Sequence, residues 1–286
     1  MKDITAALAV HASAAGRTGE NLEKCLSLAC RAADKGAELI MFPEMNITGY
    51  TSKQSPLLSG EVIPGPITTA LSLFAVKRSV TLLAGMAETD KQGRYFASQV
   101  AALPCGALQV YRKIHISPAE KNFLTPGNHI KIIQLPDHDI TLGMALCYDA
   151  HFPELFLALA LKGADIILIP HASPFGTTEE KFRSWMRHLR ARAFDNGLFV
   201  LACNQAGENH SGLTFPGLAV ALGPDGRIIG KRLDNTEGIL VVTLEQQTIE
   251  SVRNHRMKYF LPHRRNDLFN SPTRLPLTGG SEYMHF

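Results

Sequence analysis

The sequence predicts an α/β protein in which helices lie over sheets, and three observations carry that prediction. Apolar runs of strand length alternate with amphipathic stretches of helix length along most of the chain. Glycine or proline often stands where one gives way to the next, as at Gly36, Pro43, Gly163 and Pro170. With 286 residues, 45% of them hydrophobic, the chain has material for a sizeable core.

Residues 4–10 are an unbroken apolar run and read as a buried strand. Residues 20–35 place Leu22, Cys25, Leu26 and Ala29 on one helical face, and Gly36 supplies the stop. Residues 37–42 form a second buried strand closed by Pro43. A helix around residues 68–77 leads to strands over 79–86, 97–104 and 107–113. Further on come a strand at 140–147, a helix at 153–163 and a strand at 164–170. One long helix over 179–196 and a strand at 198–204 follow. Strands at 218–222 and 227–233 are joined by Gly223-Pro224-Asp225-Gly226, a strong turn signal. After about residue 253 the chain turns basic and irregular. No linker, low-complexity tract or repeat of fixed period interrupts it, so one domain over 1–286 is expected, with 253–286 as a C-terminal extension.

The formal net charge of +3 is spread thinly, with no long basic run, so nucleic-acid binding has no electrostatic support. The N-terminal apolar stretch is too short to span a bilayer, and no cleavage site follows it. A soluble chain with no membrane partner is expected. Cys25, Cys30, Cys105, Cys147 and Cys203 are odd in number and widely spaced, which fits reduced thiols and a cytoplasmic location. No spacing resembles a zinc site.

Four residues stand out by position. Glu44 follows the strand 37–42, Lys113 and Cys147 each end a strand, and Glu120 lies in the loop after Lys113. In α/β sheets ligands gather at the carboxyl ends of strands, so an acid, an amine and a thiol delivered there suggest a nucleophilic site. Cys147 precedes a strand-to-helix turn that can present its thiol beside backbone N–H groups. On spacing alone, a buried core cysteine accounts for its position equally well. His115, His151 and His171 are the candidates for a Cys–His pair, and for His115 a structural role fits better. Cys25 and Cys30 read as helix-core residues, and Trp185, Arg187 and Arg190 as packing and surface charge.

The local wording decides more than the spacing. Phe42-Pro43-Glu44-Met45-Asn46-Ile47-Thr48-Gly49-Tyr50 resembles the first motif of the nitrilase (carbon–nitrogen hydrolase) superfamily. Tyr111-Arg112-Lys113-Ile114-His115 with Glu120, Phe123 and Pro126-Gly127 resembles its second, and Cys147-Tyr148-Asp149 with Phe152-Pro153-Glu154 its third. Asn204-Gln205-Ala206-Gly207 and Arg265-Asn266-Asp267-Leu268 extend the likeness, which runs in order from about residue 4 to 270.

The resemblance implies a four-layer αββα sandwich assembled into dimers, with residues after 253 packing across a two-fold interface. It implies a Glu–Lys–Cys triad of Glu44, Lys113 and Cys147, with Glu120 as the second glutamate of the site. The chemistry it implies is acyl transfer through a thioester on Cys147, with Glu44 as general base. Lys113 and the Tyr148 backbone N–H would hold the oxyanion, and neither metal nor organic cofactor is needed. The expected substrate is a small amide or carbamoyl compound, since Tyr148-Asp149 resembles amidases and carbamoylases more than the Trp-Glu of many nitrilases. A nitrilase acting on nitriles and a catalytically silent binding protein are the alternatives. His151 stands where many relatives carry another residue, often arginine, and is a candidate substrate contact. The loop 208–213 matches no particular subfamily.

Overall fold

The structure, a computed structural model, describes residues 1–51 and 60–269. The first sheet contains β1 (Ile4–Val10), β2 (Leu39–Met41), β3 (Thr81–Thr89), β4 (Tyr95–Ala102), β5 (Leu108–Arg112) and the late strand β14 (Gly238–Leu244), in the order β14-β1-β2-β3-β4-β5. The second contains β6 (Ile132–Leu135), β7 (Ile140–Met144), β8 (Ile166–His171), β9 (Phe199–Asn204), β12 (Ala219–Leu222) and β13 (Ile228–Arg232), in the order β13-β12-β9-β8-β7-β6. A two-stranded hairpin, β10 (Gly207–Glu208) with β11 (Thr214–Phe215), stands apart.

Both sheets follow one plan. Three central strands run parallel, β1-β2-β3 in one and β7-β8-β9 in the other. Each trio is flanked by one antiparallel strand on one side and two on the other. The chain therefore repeats an architecture without repeating a sequence period.

Leu8, Leu39, Met41 and Leu83 of one sheet meet Leu142, Met144, Leu168 and Leu201 of the other in one buried cluster, so the sheets pack face to face. The outer face of the first is covered by α1 (Thr18–Asp34) and α2 (Pro66–Arg78). The outer face of the second is covered by α3 (Pro153–Leu161), α4 (Thr178–Met186) and α5 (Leu189–Asn196). Helix, sheet, sheet, helix is the predicted four-layer order. Parallel strands covered on both faces explain the uninterrupted apolar runs, which show no polar alternation.

Helix α1 buries Cys25, Leu28, Ala29 and Ala32, a stripe at 3.6-residue spacing, while Leu22 and Leu26 flank it partly exposed. The long helix expected over 179–196 is two helices. Arg187 N–H and His188 N–H donate to the carbonyls of Ser184 and Trp185, three residues back, and this tightened turn separates α4 from α5. Strands β6 and β14 were not expected, nor was the helix α6 (Gln246–Arg253). β14 is rich in β-branched and apolar residues, and its signal was present in the sequence. Helix α6 buries Ile249 and Val252, and Arg253 donates to Asp165 Oδ1 at 2.6 Å and to the Ala164 carbonyl at 2.8 Å. The start of the C-terminal segment is thus held within its own chain. Residues 270–286 of the expected extension lie outside the described residues. Among the described residues no helix is long and apolar enough to cross a membrane.

Candidate active site

The end of β2 lies against the ends of β8 and β9 across the sheet interface, and the turns after β2 and β7 each bring one candidate residue. After β2 the chain turns sharply at Met45, whose φ is +56°. The turn closes over β3 because position 85 is glycine: a Cβ there would fall 2.3 Å from Met45 N. Asn46 Oδ1 accepts from Gly85 N–H at 2.8 Å, and Gln99 Nε2 donates to the Phe42 carbonyl at 3.1 Å. The second sheet completes the mount. Gln205 Nε2 donates to the Glu44 carbonyl at 2.7 Å, and Ala172 N–H donates to Glu44 Oε2 at 3.0 Å.

Lys113 follows β5, where Gly127 N–H donates to its carbonyl at 2.7 Å. This close passage again requires glycine, since a Cβ on Gly127 would meet Arg112 O at 2.3 Å. Lys113 Nζ donates to Glu120 Oε1 and Oε2 at 3.0 and 2.9 Å. It also lies 2.8 Å from Glu44 Oε1 as an ion pair. All three side chains are about 1% exposed. Among the described residues the Lys113 ammonium is the close partner of this buried carboxylate oxygen, Glu44 Oε1.

Cys147 opens the 3₁₀ turn Cys147–His151 with φ of +41°, a strained conformation for a side chain with a Cβ. Asp149 secures that turn. Its fully buried carboxylate accepts from Leu146 N–H at 2.9 Å, Tyr111 Oη–H at 2.7 Å and His115 N–H at 2.8 Å, with His115 Nδ1 at 2.7 Å. Tyr111 and His115 flank Lys113, so one carboxylate fixes the Cys147 turn relative to the lysine. His115 also stacks on Phe152 at 3.7 Å, in keeping with the structural role expected for it. Asp149 does not line the cavity, and the motif residue that suggested amidases acts on turn geometry.

Cys147, Lys113, Glu120, Tyr148 and His151 line one cavity of about 310 Å³, at the small end for ligand sites. Tyr50, His171, Trp185, His188 and Lys181 share it without having been singled out as site residues, although His171 was weighed as a partner for cysteine. Trp185 is stacked on His171 at 4.1 Å, and His188 shares the wall. Lys181, Ser184, Trp185 and His188 stand at i, i+3, i+4 and i+7, so helical spacing puts them on one face, and the tertiary fold decides that this face is a cavity wall. Burial pushes the pKa of His171 well below 6.5, so it is neutral, and no histidine hydrogen-bonds Cys147 among the described residues. The uncertain loop 208–213 spans the β10–β11 turn, where Asn209 Nδ2 donates to the Tyr50 carbonyl at 2.7 Å.

The two carboxylates are pushed apart in acidity. Burial raises the pKa of Glu44, reinforced by the Glu120 charge and only partly offset by Lys113. Burial opposes ionisation of Glu120 too, but the Lys113 charge and hydrogen bonds from Lys113 and Ser117 outweigh it and hold its pKa down. Burial also raises the Cys147 thiol, with the Glu44 charge adding to it against Lys113. Lys113 stays protonated despite burial, held by Glu44 and the other negative groups around it. Such a split between neighbouring carboxylates marks one for proton transfer and the other for permanent charge.

Residues 5–254 match the profile of the carbon-nitrogen hydrolase family. The chain belongs to that family. An (R)-stereoselective amidase from Pseudomonas sp. is 30% identical over 220 residues, covering 75% of this chain and 77% of the amidase. The crystal structure of a carbon-nitrogen hydrolase from Helicobacter pylori G27 superposes with a TM-score of 0.83 at 31% identity, covering 94% of this chain and 97% of that one. A variant of an amidase from Nesterenkonia sp. AN1 carries the acetamide moiety of fluoroacetamide covalently added at its active-site cysteine. It superposes with a TM-score of 0.78 at 26% identity, covering 93% and 95% of the two chains. The family hydrolyses carbon–nitrogen bonds, and this chain is an amidase-like hydrolase of the nitrilase superfamily.

Proposed function

We propose that the chain hydrolyses a small amide or carbamoyl compound through a thioester on Cys147. The observation that carries this reading is the buried Glu44–Lys113–Glu120 cluster beside Cys147, in which the Lys113 ammonium bridges the two carboxylates at 2.8 and 2.9 Å. Glu44, ionised at rest, accepts the Cys147 proton as Sγ bonds to the substrate carbonyl carbon and the π electrons move to oxygen. The oxyanion is held by the Lys113 ammonium and by the Tyr148 N–H, an amide at the first turn of a helix where intrahelical acceptors are lacking. Glu44 then returns its proton to the leaving nitrogen as the C–N bond breaks, and ammonia or an amine departs. Water attacks the thioester, gives a proton to Glu44, and the acid leaves as the thiol is restored. Glu120, whose acidity is held low, keeps Lys113 in place as a cation.

Amides are favoured over nitriles because their tetrahedral state puts negative charge on oxygen at the first step. The amidase names of the Pseudomonas and Nesterenkonia relatives support the same choice. Intact-mass measurement during turnover of a small amide should show an adduct on Cys147 lighter than the substrate by ammonia, absent in Cys147→Ala. Faster turnover of matched nitriles would transfer the assignment to a nitrilase, and no turnover with an unreactive thiol would indicate a silent binding protein. His151 lines the same cavity and serves in this reading as a substrate contact. A self-complementary dimer contact through the segment after 253 is part of the proposal, supported by exposed Met257, Phe260 and Leu268 there. So is a cytoplasmic setting, supported by five free cysteines.

A further inference from the structure

Lys181 is the unexplained charge of the cavity. It is half-buried on the first turns of α4 and lines the same space as Cys147. Its ammonium donates to Ser173 Oγ at 2.8 Å and to the Pro174 carbonyl at 2.9 Å, both neutral acceptors. An ammonium has three protons to donate, and among the described residues no partner takes the third and no carboxylate lies within ion-pair distance. The acceptors are fixed in turn: buried Asn204 accepts from Ser173 N–H at 2.9 Å and donates to the Ser173 carbonyl at 3.0 Å. The position of the ammonium is thereby built into the end of β9.

The rest of the wall offers Lys181 no counter-charge. Among the described residues Glu120 is the one acid lining the cavity, and its oxygens are taken by Lys113, Ser117 N–H and Ser117 Oγ. Around Lys181 stand Ser184, Trp185, His188 and His171, none of them anionic. Burial lowers the Lys181 pKa, while a thiolate at Cys147 would raise it, which places the two groups within electrostatic reach. A partly desolvated cation with an unused donor, facing a site for small molecules, is complementary to an anion on the ligand.

We propose that Lys181 anchors a carboxylate on the substrate, so that the site takes small amides or carbamoyl compounds bearing an acid group. This rests on the hydrolase reading above. Half-amides of dicarboxylic acids and N-carbamoyl amino acids both present that carboxylate, and a cavity of about 310 Å³ holds either.

The test compares isosteric pairs in which a methyl replaces the carboxylate: succinamate with butyramide, and N-carbamoylglycine with N-ethylurea. Wild type should favour the acid of at least one pair by about tenfold or more in kcat/KM, the usual worth of a hydrogen bond to a charged group. Which pair responds identifies the source of the carboxylate. Lys181→Met should bring that ratio close to one, mainly through KM of the acid, and Lys181→Arg should restore part of it. A wild-type ratio near one overturns the proposal, as does a Lys181→Met that lowers acid and neutral substrates alike, the result of merely supporting the Ser173–Pro174 loop. If no compound is hydrolysed, the hydrolase reading fails and binding decides the anion site separately. Succinamate, but not butyramide, should then slow iodoacetamide alkylation of Cys147 in wild type and not in Lys181→Met, and equal or absent protection in both proteins overturns the inference.

Discussion

Glu44→Gln keeps the size of the side chain and an oxygen for the Ala172 N–H, but removes the proton acceptor beside the thiol. Without a base, attack depends on Cys147 that is already ionised. A thiol whose pKa is raised by burial above the ordinary 9.0 is less than about 1% thiolate at pH 7. Removing the Glu44 charge relieves the second cause of that shift, yet burial, the largest, stays. The expected loss in kcat/KM is therefore about 10²-fold or more, within the range for general acid–base catalysis. The pH profile supplies the sharper sign. Wild type needs Glu44 ionised and Cys147 protonated, so its rate should rise with pH through a midpoint above 4.5, the ordinary carboxyl value, because the Glu44 pKa is raised. It should fall again only in the alkaline range, where Cys147 and Lys113 titrate as a coupled pair. In Glu44→Gln the acidic limb should vanish and the residual rate should climb with pH as thiolate accumulates. Steady-state kinetics of ammonia release between about pH 4 and 10, with circular dichroism to verify folding, measures both. A variant retaining more than about a tenth of the wild-type rate and the same acidic limb would refute Glu44 as the base.

Lys113→Met should lower kcat by about 10²- to 10³-fold, the cost of one oxyanion donor. It also leaves two buried carboxylates face to face, so denaturant melts should show a loss of about 3–5 kcal/mol. Asp149→Asn turns an amide N–H₂ toward the two donors at Oδ2, Leu146 N–H and Tyr111 Oη–H; at about 1.5–3 kcal/mol for each of these two lost bonds, urea unfolding should register about 3–6 kcal/mol. Tyr111→Phe, which deletes a single donor to Asp149, should cost less than half of that, and equal losses would undo the account of the turn. Light scattering at micromolar concentration should report a dimer, and truncation after Asn254 should shift it toward monomer.

The alternation of buried strands and amphipathic helices was legible in the sequence for physical reasons, whereas the four-layer order and the grouping of Glu44, Lys113, Glu120 and Cys147 came from the family resemblance. Parallel strands covered on both faces must be apolar throughout, and α1 must show a stripe, so composition and period report them directly. The family motifs were legible because each encodes local necessity. Gly127 is required by its passage over Arg112, Asn46 fastens the turn that presents Glu44, and Asp149 fastens the turn that presents Cys147. What the sequence could not supply is anything made by contact across the sheet interface. The N–H of Ala172 and the side chain of Gln205 reach Glu44 from 128 and 161 residues away, and no local pattern announces those bonds. The continuous helical period over 179–196 likewise concealed a break that needs neither glycine nor proline, because two hydrogen bonds to residues three positions back tighten the turn. Lys181, Trp185 and His188 share one helical face at i, i+4 and i+7, but only the packing of that face beside the Asn204-anchored loop makes it a wall of the cavity that holds Cys147. The motifs are local and could be read along the chain, whereas the shape and charge of the space around the thiol arise only when the two sheets close on each other.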